Sequence, residues 1–150
     1  MRIWIDADAC PRLARDLVVR FSLKRKLQVV MVAGQPQHKP AFACVSLVVV
    51  PAGPDAADDH IVEQAQPGDL AICSDIPLAA RLLAKGVAAL DPRGHEFTEK
   101  NMGERLATRN LLADLRDGGQ LVGGGQPAYG ERDKQQFANA LDRLLTRLSR

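Results

Sequence analysis

Two apolar runs, LQVVMVA at residues 27–33 and VSLVVV at residues 45–50, constrain the fold of this chain more than any other feature. Both are rich in valine, and neither shows the alternation of apolar and polar residues that marks a strand with one face in water. Such uninterrupted runs are typical of parallel strands that are buried on both faces. The sequence therefore predicts a parallel sheet with helices packed on each side.

Segments with strand and helix patterns alternate around these two runs. Three more strands are predicted, at residues 2–6, 69–74 and 87–90. Helices are predicted from Pro11 to about Lys26, from an N-cap at Asp55 to about Gln66, from Pro77 to Lys85, over 98–117 and over 131–148, with a glycine-rich loop over 118–130. This order predicts one α/β domain over residues 1–150, a three-layer sandwich on a mainly parallel sheet of about five strands.

Apolar residues recur at helical spacing in the first and last predicted helices. In the first helix Leu13, Leu17 and Phe21 share a face, which we expect to pack on the sheet. The last helix carries an apolar stripe formed by Phe137, Leu141, Leu144, Leu145 and Leu148. Both helices are therefore expected to bury one side.

Composition and charge narrow the class of protein. The formal net charge of +2 is too small to indicate nucleic-acid binding by itself, and the 4% aromatic content leaves few residues for base stacking. Cys10, Cys44 and Cys73 are widely spaced, which argues against a disulfide framework and a zinc knuckle. No apolar run reaches the ~18 residues of a membrane span, and the N-terminus lacks a signal-peptide core. We expect a cytoplasmic protein without a membrane segment.

Aspartates cluster where the predicted strands end. Asp6 and Asp8 lie at the end of the first strand, and Asp75 lies at the end of the fourth. Asp58 and Asp59 lie in the first turn of the helix after the third strand, where at least one can point at the crevice. Carboxylates that meet at one sheet edge repel one another unless protons or a cation neutralise them, and their hard oxygen atoms suit Mg²⁺ or Mn²⁺. The sequence thus predicts a metal site formed by these five acids.

Structural roles compete with metal binding for several side chains. Asp55 suits an N-cap, and one of Asp58 and Asp59 suits a solvated acid that the helix dipole favours. Asp8 has the alternative role of turning the chain into the first helix. Cys10 lies before that helix, where the dipole can lower a thiol pKa and favour a nucleophilic thiolate. A capping or packing role for Cys10 is the interpretation that we favour.

Three short motifs resemble those of a known family. DADACP at residues 6–11, GPDAADD at 53–59 and SDIPLA at 74–79, with the glycine-rich stretch before Asp133, closely resemble the uncharacterised bacterial YaiI/YqxD family. The resemblance covers nearly the whole chain. Cys10 and Ser74 lie inside these motifs and are additional candidate site residues. The family is grouped by similarity with PIN-like domains, which are metal-dependent ribonucleases with an acidic crevice at the edge of a parallel sheet.

The PIN-like resemblance implies roles for individual acids. PIN nucleases carry acids at the end of the first strand, in a central helix and after the fourth strand. By matching, these acids fall on Asp6, on Asp59 or Asp58, and on Asp75. The resemblance therefore implies Asp6, Asp59 and Asp75 as catalytic residues with Mg²⁺ or Mn²⁺ as the cofactor. Asp133 is the candidate for a fourth acid.

Three functions remain as hypotheses. The first is hydrolysis of phosphodiester bonds in RNA or another nucleic acid, with the acids holding one or two metal ions and water attacking phosphorus. Arg81, Arg93 and Arg132 are its candidate phosphate contacts. The second is a regulatory module that binds metal or nucleic acid without turnover. The third is a phosphatase like the haloacid dehalogenases, whose first motif resembles IDAD at residues 5–8 but whose later motifs do not occur here in the required order.

Overall fold

The computed structural model describes residues 1–51, 53, 55–117 and 128–149, and the side chains of all of these except 113–117. Most of the predicted glycine-rich loop, 118–127, lies outside the described residues. The strands are β1 (Arg2–Asp6), β2 (Gln28–Ala33), β3 (Val45–Val49), β4 (Leu70–Ile72), β5 (Ala88–Leu90) and β6 (Glu96–Phe97). The helices are α1 (Arg12–Arg25), α2 (Ala56–Gln64), α3 (Ile76–Ala84), α4 (Glu99–Asp117) and α5 (Glu131–Leu148). The predicted alternation of strands and helices is confirmed.

The six strands form one sheet in the order β3-β2-β1-β4-β5-β6. The first five are parallel, and β6 runs antiparallel to β5 at the edge. Asp6 pairs with Val32 of β2, and Ile5 pairs with Ile72 of β4, so β1 lies at the centre. The chain first builds outward from β1 to β3 and then returns to add β4 on the other side. This reversal is a topological switch point, where ligands of open α/β sheets bind beyond the carboxyl ends of the strands.

Helices cover both faces of the sheet. Ile3 and Ile5 point from β1 into one apolar layer, which includes Leu17 of α1 and Leu141 of α5. Trp4 points into the opposite layer, which buries side chains from three helices, Ile61 of α2, Leu78 of α3 and Met102 of α4. Successive residues of a strand face opposite sides, so the uninterrupted apolar sequence of β1 supplies both layers. The predicted three-layer α/β sandwich is therefore confirmed.

A buried acid joins β1 to β4 at the edge opposite the predicted site. Asp69 precedes β4 and is only 6% exposed. Its carboxylate accepts hydrogen bonds from the backbone N–H groups of Arg2 and Gln66 and from the indole Nε1–H of Trp4, at 2.9–3.0 Å. These donors satisfy a carboxylate that would otherwise be costly to bury. Asp69 therefore holds the start of β1 in place, at the edge of the sheet opposite Asp6.

The structure differs from the sequence predictions at a sheet edge, on α1 and in the fourth strand, since β4 covers Leu70–Ile72 and the prediction covered 69–74. The edge strand β6 was not predicted, because two residues are too few to produce a periodic pattern. The predicted buried face of α1 was partly wrong, since Leu13 is 39% exposed and Phe21 is only half-buried. The helix instead buries Ala14, Leu17, Val18, Val19 and Ser22. Among the described residues, no helix is both long and apolar enough to cross a membrane.

Candidate metal centre at the switch point

Three carboxylates from separate elements approach one another at the switch point. Asp6 is the last residue of β1, and Asp75 follows the neighbouring strand β4 as the N-cap of α3. The third, Asp58, lies in the first turn of α2, which packs over β1 and β2 on its way from β3 to β4. The crossover from the outer strand back to the centre thus brings the start of α2 to the end of β1. Acids from three segments thus lie at this sheet edge, and their role as a metal site stays a prediction.

Ile61 sets the rotation of α2 and thereby selects between its two neighbouring acids. Its side chain is 1% exposed and packs in the layer below the helix. Asp58 precedes Ile61 by three residues and lies on the same side of the helix, whereas Asp59 is turned away. Asp59 Oδ1 instead lies 3.0 Å from Arg81 Nη1, in a pair with both side chains about half exposed (52% and 46%). The acid that joins the cluster is therefore Asp58.

Asp58 and Asp75 are close enough to share a proton. Burial is the largest cause that raises the pKa of Asp58, to about 7, followed by the charges of Asp6 and Asp75. A hydrogen-bonding interaction with the Asp75 side chain contributes to the raised pKa of Asp58, and the carboxylate of Asp75 makes no capping bond to its own helix. Asp55 holds the N-cap position of α2 as predicted, but its side chain makes no capping bond and its charge raises the same pKa. Near neutral pH a large share of the Asp58 carboxyl groups therefore carries a proton, and a bound cation would relieve the same repulsion.

Asp6 is the most buried acid of the cluster. Its side chain is 8% exposed, because β1 is central and covered on both faces. Burial raises the pKa of Asp6 to about 6, and the charges of Asp8 and Asp75 contribute in the same direction. Strongly raised carboxyl pKa values in a crevice are a recognised property of functional sites. Asp6 is therefore held close to its point of ionisation at physiological pH.

Asp8 holds a loop beside this cluster. Its Oδ2 accepts a hydrogen bond from the backbone N–H of Gly34 at 2.7 Å, and its Oδ1 accepts one from Gln37 Nε2 at 3.2 Å. A Cβ atom at position 34 would lie 3.3 Å from Asp8 Oδ2, which is a tight contact. Both carboxylate oxygens thus bind the segment between β2 and β3. The role of Asp8 as a metal ligand stays a prediction, and its observed contacts are with this loop.

The thiol of Cys10 is unsuited to act as a thiolate. Burial is the largest effect on its pKa, raising it to about 12; the nearby Arg15 lowers it, and the charge of Asp6 raises it further. Its Sγ lies 3.6 Å from the carbonyl oxygen of Pro11 and donates a weak hydrogen bond to it. The packing role favoured from the sequence agrees with this environment. Ser74 is exposed between the buried Cys73 and Asp75.

Asp133 and the candidate phosphate ligand Arg93 pair with each other at the start of α5. The distance from Arg93 Nη1 to Asp133 Oδ2 is 2.9 Å, and the same oxygen accepts the backbone N–H of Gly130 at 3.0 Å. The bond from Gly130 is the largest cause that lowers the pKa of Asp133. The guanidinium of Arg93 also lies 5.8 Å from the centre of the Tyr129 ring. Asp133 thus caps a helix, while Arg132 is exposed on the first turn.

Asp91 is an acid at this sheet edge that the sequence analysis missed. It directly follows β5, whereas Asp75 lies three residues after β4, so the rule that identified acids at strand ends applied to it as well. Its Oδ1 accepts the backbone N–H groups of Arg93 and His95, at 2.9 and 3.0 Å. Its Oδ2 lies 3.2 Å from His95 Nδ1. Asp91 therefore organises the turn before β6.

The donor chemistry of the cluster fits a hard divalent cation bound partly by water. Within the described part of the chain, no three His, Cys, Asp or Glu side chains are arranged to hold a metal ion. The described residues thus form no closed cage of protein ligands. Mg²⁺ is usually bound by only one or two carboxylates and keeps several waters. Asp58 and Asp75 could supply such a pair, with Asp6 adding negative charge, and a cation would relieve their mutual repulsion.

Comparison with known proteins identifies the family. The sequence profile of a family described as "Uncharacterized BCR, YaiI/YqxD family" matches residues 4–147. A UPF0178 protein of Stutzerimonas stutzeri is 75% identical over 150 residues, covering 100% of this chain and 99% of the relative. A UPF0178 protein of Pseudomonas entomophila is 73% identical, covering all of this chain and 99% of the relative. A UPF0178 protein of Pseudomonas aeruginosa strain LESB58 is 74% identical, covering all of this chain and 93% of the relative. No solved structure matches the chain, and the PIN-like relationship stays a prediction. The chain belongs to the YaiI/YqxD family.

Proposed function

We propose that this protein is a divalent-metal-dependent hydrolase that cleaves phosphodiester bonds in RNA or another nucleic acid. One observation carries the proposal: Asp6, Asp58 and Asp75 converge from three elements at the switch point, and the pKa values of Asp6 and Asp58 are raised by burial and by the charges of neighbouring acids. The cluster is therefore in an unfavourable electrostatic state that binding of a cation would relieve. The predicted PIN-like relationship supports the same chemistry.

The protein's own residues have separable roles in this reaction. Asp58 and Asp75 would hold Mg²⁺ or Mn²⁺, which when bound polarises a phosphoryl oxygen and makes water a stronger acid. A carboxylate with a pKa of about 6 is largely ionised at neutral pH, yet is basic enough to accept a proton. Asp6 would accept a proton from the water that attacks phosphorus. The new bond joins that oxygen to phosphorus, the ester bond to the leaving oxygen breaks, and the leaving oxygen takes up a proton from solvent water.

Two of the predicted phosphate contacts have acidic partners in the protein. Arg81 pairs with Asp59, and Arg93 pairs with Asp133. Arg81 would have to leave its exposed pair to contact a phosphate, a step that costs little because exposed ion pairs contribute only about 0–1 kcal/mol. We keep Arg81 as the first candidate phosphate contact. The three free cysteines support the expectation of a reducing, cytoplasmic location.

One observation favours the alternative of a binding module without turnover. The described residues contain no group of three metal ligands, whereas an ion bound by two carboxylates can serve binding alone. In that case metal would strengthen RNA binding and no bond would be cut. The two proposals share the same site and differ in the fate of the RNA.

Cleavage of single-stranded RNA with Mn²⁺ tests the proposal. Wild type should cut a labelled RNA internally, and EDTA should stop the reaction. Asp58→Asn and Asp75→Asn should each abolish cleavage, while Asp142→Asn, which changes an exposed acid on α5, should not. Activity must follow the protein through purification, so that a contaminating ribonuclease is excluded.

Comparison of two adjacent variants tests the choice of acid on α2. Asp59→Asn should retain most of the activity that Asp58→Asn loses, because Asp59 faces Arg81 and not the cluster. Loss in Asp59→Asn with retention in Asp58→Asn would refute the assigned metal pair. Metal-dependent RNA retention by wild type without cleavage of several single-stranded RNAs would establish the binding module instead.

A further inference from the structure

We propose that a groove along α1 binds single-stranded nucleic acid and leads it to the acidic cluster. The α1 groove is the depression of about 330 Å³ lined by Asp16, Val19, Arg20, Leu23, Pro40 and Phe42. It lies between α1 and the segment that joins β2 to β3. Since the α1 groove would serve the proposed nucleic-acid hydrolysis, its assignment to this ligand rests on that function.

Positive charge is concentrated on the helix that forms one wall of the groove. Residues 12–26 contain six Lys and Arg residues and a single acid, Asp16, a net charge of +5. The whole chain carries only +2, so the remaining residues carry −3. A basic stripe along one helix is the electrostatic footprint of a polyanion partner. The modest net charge of the chain conceals this segregation.

The basic side chains of α1 follow one exposed row. Arg12, Arg20 and Lys24 are exposed and lie at four-residue spacing with Asp16. Arg20 and Lys24 are separated by about 6 Å along the helix axis, a spacing comparable to that of adjacent phosphates in an extended single strand, whereas Arg12 lies about 12 Å before Arg20 with Asp16 between them. Asp16 Oδ1 lies 3.3 Å from Arg15 Nη2, which offsets its negative charge. Arg25, by contrast, pairs with Asp142 of α5 and faces away from the row.

An exposed aromatic ring stands beside these charges. Phe42 is 44% exposed, and Leu23 across the groove is 45% exposed. The backbone of Phe42 is held on both sides, since its N–H donates to Pro40 O at 2.9 Å and its C=O accepts from Val45 N–H at 3.0 Å. An exposed ring on an anchored backbone, lining the same groove as the cationic Arg20, is the arrangement on which unpaired bases stack. The bases of a duplex are already stacked and could not use it in this way.

The same segment connects the groove to the acidic cluster. It begins at Gly34, where the backbone N–H donates to Asp8 at 2.7 Å, and Gln37 adds a second bond to that carboxylate. Five residues after Gln37 the chain reaches Phe42 in the groove. Because α1 itself starts directly after Cys10 and Pro11, both walls of the groove originate at the cluster. A strand bound along α1 would therefore approach Asp6 and Asp75 at one end.

A concave surface of this kind fits a nucleic-acid strand better than a membrane. Insertion into a lipid surface requires apolar side chains that project beyond their surroundings. The apolar residues here line a depression together with Arg20, and Lys24 is exposed on the next turn of α1. Anionic lipid nevertheless shares the phosphate chemistry, so vesicles are included in the test.

Binding of a fluorescently labelled 12-nucleotide single-stranded RNA in EDTA isolates this surface from hydrolysis. Arg20→Glu with Lys24→Glu should weaken binding by about tenfold or more and should reduce the slope of log K against log salt by about 1 to 2. The matched control is Lys100→Glu with Arg109→Glu, an equal charge change on exposed residues of α4, whose buried side chains pack against the opposite face of the sheet. The control pair should change the affinity far less.

Phe42 variants test the stacking contact. Phe42→Ala should weaken binding of the single strand by roughly five- to one-hundredfold, and Phe42→Trp should restore it. A duplex of the same sequence should bind more weakly than the single strand and should not respond to Phe42→Ala. Circular dichroism and thermal unfolding of each variant establish that the fold is retained.

Four results would overturn the assignment of the α1 groove. The first is equal loss of RNA binding in the α1 and α4 charge variants, and the second is an unchanged affinity in Phe42→Ala. The third is binding to phosphatidylglycerol vesicles through Arg20 and Lys24 in the absence of RNA binding, which would make the surface a membrane contact. The fourth is a dimer in solution that Phe42→Ala dissociates, which would make it an interface between copies of the chain.

Failure of the groove and failure of the proposed hydrolysis give different outcomes. If wild type binds RNA through α1 in EDTA but never cleaves it, hydrolysis is wrong and the groove stands. If wild type cleaves RNA, and the double variant Arg20→Glu with Lys24→Glu cleaves it with the same KM, the assignment of the groove is wrong and hydrolysis stands. RNA binding in EDTA therefore tests the groove, and RNA cleavage with metal tests the hydrolysis, independently of each other.

Discussion

Replacement of Asp6 by asparagine should stabilise the folded protein at pH 8 in EDTA. In wild type the Asp6 carboxylate is ionised at this pH although it is 8% exposed and lies near the charges of Asp8 and Asp75. The side-chain amide of asparagine has nearly the same shape as the carboxylate and carries no charge. Natural functional sites commonly hold such unfavourable arrangements at a cost in stability. A gain in stability on replacing Asp6 would identify it as a residue retained for function.

The expected magnitude follows from the pKa of Asp6. Its value rises from 3.8 to about 6, a change of about 2, which corresponds to about 3 kcal/mol at ~1.36 kcal/mol per pKa unit. The stability that the protonated group contributes is fully present below pH 4, is lost as the pH rises to about 6, and stays lost at higher pH. Asp6→Asn and wild type should therefore be similarly stable at pH 4 and differ most above pH 7. At roughly 2–4 °C per kcal/mol, the melting temperature should rise by about 6–12 °C at pH 8.

Urea unfolding monitored by tryptophan fluorescence provides the measurement. Trp4 is the only tryptophan in the chain and is 3% exposed, so its emission reports global unfolding. Wild type, Asp6→Asn and the control Glu104→Gln, an exposed residue of α4, are compared from pH 4 to pH 8. The reasoning is refuted if Asp6→Asn is no more stable than wild type at pH 8, or if the difference between them is independent of pH.

Three further predictions concern the cation, the thiol and a tight turn. Millimolar Mn²⁺ should raise the melting temperature of wild type more at pH 8 than at pH 5.5, because protons compete with the cation for the carboxylates. An equal rise in the double variant Asp58→Asn with Asp75→Asn would contradict the proposed metal site. RNA cleavage, where observed, should survive Cys10→Ala, since burial raises the pKa of this thiol to about 12; complete loss in a folded variant would favour thiol chemistry. Gly94→Ala should destabilise the protein by about 1–3 kcal/mol in urea unfolding, because position 94 has a φ of +94° and the new Cβ would lie 2.7 Å from Gln136 O; unchanged stability would show that the turn can shift.

Strand positions and the location of the acids could be predicted from the sequence because each depends on local signals. The valine-rich runs marked strands buried on both faces, and their alternation with helices implied parallel pairing. Parallel strands place their carboxyl ends at one edge, so the positions of Asp6 and Asp75 followed from the strand assignments alone. The same rule would have included Asp91, which follows β5.

Contacts between distant segments could not be predicted in this way. Asp8 binds Gly34 and Gln37 through a loop whose path depends on the packing of its surroundings. The buried face of α1 was misjudged because apolar residues occur on several sides of this helix, and periodicity alone does not say which side meets the sheet. The exposure of Leu13 and Leu23 is thus a product of tertiary packing. The α1 groove was hidden from sequence analysis for the same reason.

The choice between Asp58 and Asp59 depends partly on a local sequence pattern and partly on contacts between distant segments. It determines which acid is assigned to the site. Adjacent helical residues point about 100° apart, so only one can face the strand ends. Asp58, Ile61 and Ala65 follow the spacing of three and seven residues that marks one helical face, and both apolar residues are buried. That pattern was present in the sequence and was sufficient to place Asp58 with the core. The PIN-like resemblance left Asp59 and Asp58 as alternatives because it matched a motif without considering which side of α2 is buried. Physical periodicity selects Asp58, and the ion pair of Asp59 with Arg81 then explains why two adjacent acids have different surroundings.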